Sequence, residues 1–515
     1  MNLLKTLAAI SSMTMLSRIT GLLRETLFAR AFGAGAYTDA FNVAFRIPNL
    51  LRRLFAEGAF SQAFVPILAE YKNVQGHDAA KTLVDHVANT LVWATLIVSA
   101  LGIVGAPAFV FLIASGLSKG TAFDEAVWMT RLMFPYIACM SFVALAGGVL
   151  NTWREFRIPA FTPVLLNLSF IAGSLFLAPY LERPVYAQAI AVMVGGILQV
   201  AIQVPALVRV GMLPSLSWNP VGGLKDPGVR RVLRKMGPAV FAVSAAQISL
   251  MINTSIASYL PEGSISWLTY ADRLMEFPNA LLGVALGTIL LPSLSKANVE
   301  GDHAEYSSLL DWGLRLTFLL VLPAAVGMAV LAKPMIATLF HYGQFSAYAA
   351  QMSARPLMAY AVGLTGIILV KTLAPAFYAQ QDIRTPVRIA IGVLIATQVM
   401  NAIFVPFIQV AGLALSIGLG ATLNAAFLYR GLRTRDIYKP APGWTKFFLK
   451  LLAAVTVMGV AAWFGASQFD WIAMRAHPLM RAGALLLVVA VSGVVYFSIL
   501  FMLGFRLRDF KRRAK

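Results

Sequence analysis

Long uncharged apolar runs recur along the chain. They occupy residues 91–114, 132–150, 158–179, 185–207, 238–260, 277–294, 316–332, 356–370, 389–408, 411–429, 451–467 and 482–505. An α-helix needs about 20 apolar residues to cross the hydrocarbon core of a bilayer, and most of these runs approach or reach that length. Two further stretches, 3–31 and 39–70, keep helical spacing of apolar positions but are interrupted by charges. The pattern predicts an all-α polytopic membrane protein with about fourteen transmembrane helices. Pro48, Pro107, Pro135, Pro278, Pro323, Gly283 and Gly287 fall inside these segments and permit bends.

Composition agrees and narrows the class. Of 515 residues, 59% are hydrophobic and 12% charged, with a mean hydropathy of +0.75. Soluble domains carry about 25% charged residues, so an ordinary soluble enzyme and a disordered chain are both excluded. The balance of 42 Lys+Arg against 22 Asp+Glu gives +20. With so few charges in total, this is not the signature of a nucleic-acid-binding protein. The single cysteine, Cys139, lies in an apolar run and builds no disulfide, metal or redox motif. Residues 1–16 hint at a signal peptide, but the helical pattern runs on through Arg18, Arg24 and Arg30 without a cleavage site.

Charge also orients the chain. Basic residues concentrate in three places: the connection holding Arg209, Lys225, Arg230, Arg231, Arg234 and Lys235, the one from Arg430 to Lys450, and the C-terminal tail. Arg154 and Arg157 mark another. With fourteen spans all of these fall on one side, and the intervening short loops are poor in Lys and Arg. Positive-inside bias then places both termini in the cytoplasm.

An internal echo divides the chain. Phe161-Thr-Pro-Val-Leu-Leu-Asn167 resembles Arg384-Thr-Pro-Val-Arg-Ile-Ala390, and Ile47-Pro-Asn-Leu-Leu51 resembles Phe277-Pro-Asn-Ala-Leu281, offset by about 223–230 residues. The expected organisation is a six-helix lobe over 1–222, a second over 223–440, and two extra helices with a basic tail over 441–515. Six spans per repeat make the lobes parallel, related by an axis along the membrane normal, with a site between them near mid-membrane, as in transporters.

Ionisable residues inside spans are costly, about 2.5–3.5 kcal/mol each at a helix centre on insertion scales, and therefore informative. The first two segments carry Arg18, Arg24, Asp39, Arg46, Arg52, Arg53 and Glu57; the second half carries Asp272, Arg273 and Glu276, and Lys371 ends an apolar run. Spacing allows Arg53–Glu57 at i,i+4 and Arg273–Glu276 at i,i+3 to pair. Arg18, Arg30 and Arg53 near span ends also suit simple snorkelling, and Asp39, after Thr38, suits a helix N-cap as well as a functional acid. Asp311 and Arg315 read as structural. Arg24, Arg52 and Arg273 are the strongest functional candidates. Guanidinium binds phosphate oxygens bidentately, which points to an anionic, phosphorylated ligand. No phosphate-binding GxxxxGK[ST] loop, HExxH or GxSxG occurs, and the five His residues are scattered; neither enzyme activity, cofactor nor metal is expected.

Four stretches carry a family resemblance: Ser17-Arg-Ile-Thr-Gly-Leu-Leu-Arg24, Thr38-Asp-Ala-Phe41, Arg46 through Pro66, and Tyr270-Ala-Asp-Arg-Leu-Met-Glu-Phe-Pro278. They resemble the MurJ (MviN) family of lipid II flippases, over essentially the whole chain. The resemblance implies the multidrug/oligosaccharidyl-lipid/polysaccharide exporter fold: two six-helix lobes around a central cavity plus two C-terminal helices forming a groove for a polyprenyl tail. It implies transfer of undecaprenyl-diphosphate-linked peptidoglycan precursor from the inner to the outer leaflet of the bacterial cytoplasmic membrane, with lipid II and membrane lipids as partners and transient contact with cell-wall synthesis proteins. Family cavity arginines match Arg18, Arg24, Arg52 and Arg273; family acids match Asp39, Glu57 and Glu276. Arg46 stands where the family often has Lys. An anionic head leaving a negative interior, and an empty cationic cavity returning, are both favoured by the membrane potential, at about 2.3 kcal/mol per charge per 100 mV. The alternatives are an ion-coupled exporter of drugs or of another lipid-linked oligosaccharide with the same fold, and a non-transporting scaffold for cell-wall synthesis. Buried arginines argue against the scaffold.

Overall fold

The computed structural model describes residues 3–55 and 59–506. All regular secondary structure among them is helical. Nine helices are long and apolar enough to cross a membrane among the described residues, and a bent pair makes a tenth. The protein is an all-α, multi-pass membrane protein. Its backbone solves the membrane problem in the usual way, with each N–H and C=O satisfied inside its own helix. The chain divides into two compact units, Met1–Ile265 with Gly343–Phe345, and Ser266–Tyr342 with Ser346–Lys515.

The first unit starts with α1 (Leu3–Phe32), a single 30-residue helix. The segment read as 39–70 comprises α2 (Ala36–Phe55) and α3 (Ala59–Glu70). The apolar run 91–114 is the second part of α4 (His77–Ala114), whose first turns are polar and outside the run. The run 132–150 lies across α5 (Ala122–Met133) and α6 (Tyr136–Thr152), bent by 40° at Phe134–Pro135. Proline lacks the N–H and crowds the preceding turn, so the bend falls where the sequence permits it. Then come α7 (Arg157–Ala172), α8 (Tyr186–Arg209) and α9 (Pro227–Ser258). Asp226 caps α9, its carboxylate accepting from the N–H groups of Gly228 (2.6 Å) and Val229 (3.2 Å), with Pro227 at the first helical position. Helix α9 packs on α3 and α4, and Arg231 forks onto Glu70 at 2.8 and 2.7 Å.

Three residues from further along the chain complete this unit. Gln344 N–H donates to Arg30 O at 2.9 Å. Gly343, at φ +53°, leaves no room for a Cβ against the Arg30 carbonyl, and a Cβ on Gly33, at φ +67°, would sit 2.6 Å from Gln344 O. Only glycine satisfies both the left-handed backbone and the close approach.

The second unit holds most of α10 (Ser264–Pro278), then a π-helical turn (Asn279–Gly283) and α11 (Val284–Val299). The run 277–294 is therefore no separate helix: it starts at the end of α10 and ends inside α11. Next are α12 (His303–Val330), α13 (Ala332–Phe340), α14 (Ala347–Tyr378), α15 (Arg384–Ile408) and α16 (Val410–Thr434). Helices α14 and α16 cross where Gly363 meets Gly418 and Gly366 meets Thr422; any Cβ on Gly363 would strike the Gly418 backbone. Small residues let membrane helices approach closely enough for dispersion to replace the absent hydrophobic drive. The last pair, α17 (Trp444–Ser467) and α18 (Pro478–Met502), docks through α17 on α12. Pro48, Pro107 and Pro323 sit inside continuous helices, whereas Pro135 and Pro278 mark breaks.

Asp311 ties the α16–α17 connection to α12. Its Oδ1 accepts from Tyr438 Oη (2.7 Å), Trp444 Nε1 (2.8 Å) and Ala441 N (3.0 Å), and its Oδ2 from Arg315 Nε (2.8 Å). The structural reading of Asp311 and Arg315 holds.

Candidate substrate-binding site

Arg24 is the best-defined cation of the first unit. It projects from α1 toward α7, with its side chain 16% exposed. Nη1 donates to Asn167 Oδ1 at 3.0 Å, Nη2 pairs with the neighbouring Glu25 carboxylate, and the guanidinium carbon stands 5.0 Å from the centre of the Phe170 ring. Asn167 is itself fixed: Nδ2 donates to Ser17 O (3.0 Å) and Thr20 Oγ1 (3.1 Å). Phe170 is held edge-on by Phe41 (6.2 Å) and Phe45 (5.7 Å) of α2. The guanidinium therefore sits on an aromatic platform with one amide and one carboxylate partner, partly dry and partly open. That is how a cation can be kept charged inside a membrane protein and still reach an anion.

The other sequence candidates of this unit divide. Arg18 is exposed, and Arg46 is half-buried on α2. Arg52 and Arg53 lie in the last turns of α2, but their side chains, like the whole of Glu57, are outside the described residues. Asp39 is buried, and its Oδ2 accepts the Gly263 N–H at 2.8 Å. The first residue of α2, Ala36, donates its N–H to Glu262 Oε1 at 2.9 Å instead. Two acids thus tie the first turn of α2 to the turn before α10.

In the second unit Asp272, Arg273 and Glu276 share α10. Arg273 Nη1 is 3.5 Å from Glu276 Oε2, the i,i+3 pair that the spacing allows. Lys371 is half-buried on α14, its stem against Gly283 in the π-helical turn, and its ammonium lies within electrostatic reach of Glu276. Glu276 therefore balances two cations, one on its own helix and one on α14.

The family model described as "Lipid II flippase MurJ" matches residues 28–480. A lipid II flippase MurJ from Burkholderia cenocepacia is 59% identical over 100% of both chains. A probable lipid II flippase MurJ from Haemophilus influenzae is 42% identical, over 96% of this chain and 98% of its own.

The chain belongs to the lipid II flippase MurJ family.

Solved structures agree on the fold. A lipid II flippase MurJ in an inward closed conformation superposes with a TM-score of 0.79 at 23% identity, covering 96% of this chain and 99% of that one. An inward-facing multidrug resistance MATE family transporter of the MOP superfamily reaches 0.66 at 14% identity, over 84% and 98%. The family model starts after Arg18 and Arg24, whereas the Burkholderia match spans them. Within this MurJ-family fold, sequence reasoning found the cations but not what holds them. The sequence pattern does not single out Asn167, Phe170 or Glu262, although Asn167 follows three residues after the repeated Thr-Pro-Val of the first half. Its carboxamide, the only amide side chain in the run 158–179, is the available signal.

Proposed function

We propose that this chain translocates lipid II, the undecaprenyl-diphosphate-linked peptidoglycan precursor, from the inner to the outer leaflet of the bacterial cytoplasmic membrane. It does so by alternating access and without catalysing a covalent step. The observation that carries the reading is full-length identity of 59% to a lipid II flippase. In this reading fourteen spans put both termini in the cytoplasm, 1–222 and 223–440 are the two lobes, and 441–515 is appended to them. The multidrug alternative shares only the fold, at 14% identity.

The site follows the chemistry of the substrate. Its diphosphate needs cations, so Arg18, Arg24, Arg52 and Arg273 bind it, with Arg24, Arg52 and Arg273 as the clamp. Asp39, Arg46, Arg53, Glu57, Asp272, Glu276 and Lys371 balance charge around them. What supports this is the mounting of Arg24, which leaves part of the guanidinium accessible while neutral and acidic partners fix the rest. The isoprenoid tail stays in lipid. The membrane potential favours both the loaded outward step and the empty return.

The deciding experiment reconstitutes the full chain in vesicles with labelled lipid II and measures its arrival in the opposite leaflet. Arg24→Ala, Arg52→Ala and Arg273→Ala should each abolish arrival while leaving the purified protein folded. Normal transport by all three overturns the clamp. Undiminished transport after the potential alone is collapsed overturns the energy source.

A further inference from the structure

At one end of the second unit a cavity of about 730 Å³ is walled by His341, Ser346, Ala347, Ile472, Arg475 and Ala476. Behind it lies Arg481, the largest fully buried side chain among the described residues. Its partners are all neutral. Nη1 donates to Trp471 O (3.0 Å) and stands 3.4 Å from His341 Nδ1, Nη2 donates to His341 O (3.1 Å), and the guanidinium lies 4.5 Å from the centre of the Tyr342 ring. Nε has no hydrogen-bond partner among the described residues, and no carboxylate there pairs with this cation. Carbonyl dipoles offset part of the desolvation of a buried charge, but an ion without a counter-ion remains a costly arrangement.

His341 links this arginine to the cavity. Its side chain is buried yet walls the space. Because Nδ1 faces a guanidinium donor, the ring proton belongs on Nε2. Nε2 makes no hydrogen bond among the described residues, so the ring brings an unused N–H donor to the cavity wall. Burial, with the charges of Arg475 and Arg481, lowers the His341 pKa and keeps it a neutral donor. The acid of this turn, Asp470, is not among the cavity-lining residues; its Oδ1 accepts the N–H groups of Ile472 (3.1 Å) and Ala473 (3.0 Å).

We propose that this cavity binds a phosphate group, held by Arg475 and His341 and acting as the counter-ion that buried Arg481 lacks. The group can come on an anionic phospholipid or as free phosphate. Leu479 and Met480, next to Arg481 on α18, are 88% and 62% exposed, which gives acyl chains a seat beside the headgroup and favours the lipid.

The test uses the full chain in phosphatidylcholine nanodiscs, titrated either with phosphatidylglycerol or with inorganic phosphate, reading the melting temperature and lipid retained in native mass spectrometry. Phosphatidylglycerol should raise the melting temperature saturably. Arg475→Gln should weaken that response at least tenfold, while Arg209→Gln, an exposed arginine at the end of α8, should not. His341→Gln, which keeps an N–H donor, should retain binding and His341→Phe lose it, a second route if Arg475→Gln folds poorly. A response to inorganic phosphate alone supports the site with a soluble ligand. No saturable response, or one equal in the Arg475 and Arg209 variants, overturns the proposal.

Discussion

The hold of Asn167 on Arg24 is open to a quantitative test. Asn167→Ala removes an acceptor 3.0 Å from Arg24 Nη1 and two donors that bind α1, to Ser17 O and Thr20 Oγ1. A hydrogen bond to a charged group contributes about 1.5–3 kcal/mol in soluble proteins. Side-chain hydrogen bonds between membrane helices average only about 0.6 kcal/mol, with a maximum near 1.7. Arg24 is charged but keeps Glu25 and the Phe170 face as other partners, so the expected coupling lies between these ranges, about 1 kcal/mol. The measurement is a double-mutant cycle on stability: wild type, Arg24→Ala, Asn167→Ala and the double variant, unfolded reversibly in mixed detergent. Asn167→Ala alone should cost more than the coupling term, because the contacts to Ser17 and Thr20 go too. If the two single effects add to within about 0.5 kcal/mol, the usual limit for independent sites, the two side chains do not act together and the positioning argument fails. Flipping should follow the same cycle: with Arg24 already absent, removing Asn167 should reduce transport little further.

Other outcomes follow from the same geometry. Asp311→Ala should destabilise the fold by about 2–3 kcal/mol, since it takes the acceptor from the buried Tyr438 hydroxyl and from two further donors and leaves half-buried Arg315 with only Pro442 O; Asp311→Asn should be milder, and thermal unfolding separates the two. The Asp382 carboxyl accepts the Thr385 N–H and one guanidinium N–H of Arg435, whose other arm donates to the Thr385 hydroxyl, and it is held well below its ordinary 3.8. Its folded value is depressed, so its contribution is present above about pH 4 and is lost as pH falls through the folded value; the melting-temperature gap between wild type and Asp382→Asn should close under acid. The His341 pKa lies below 6.5 in the fold. Here too stability is full above the ordinary value and declines below it, because the unfolded chain takes up a proton that the buried ring resists; His341→Gln should flatten the melting curve below about pH 6.

What the sequence revealed, and what it hid, has a physical basis. Apolar runs were readable because bilayer lipid leaves the backbone no partner but its own helix, so the constraint is local and shows in composition. Helix ends were not, because polar turns extend past the apolar run: α4 begins at His77, although its run begins at 91. Breaks were half readable. A proline permits a bend, but packing decides whether one occurs, and Pro135 bends its span while Pro107 does not end α4. The ion pair Arg273–Glu276 was readable because it is one helical turn long. The partners of Arg24 and Asp39 were not, since they come from α7 and from the turn before α10, and only the folded chain brings them near. The same limit explains Arg481. In sequence it is one basic residue bordering an apolar run; folded, it is a buried charge with neutral partners beside a cationic cavity. Costly charges inside the spans point to an anionic, phosphorylated ligand. The same reasoning, applied at the start of α18, leads to the phosphate proposed for the cavity beside Arg481.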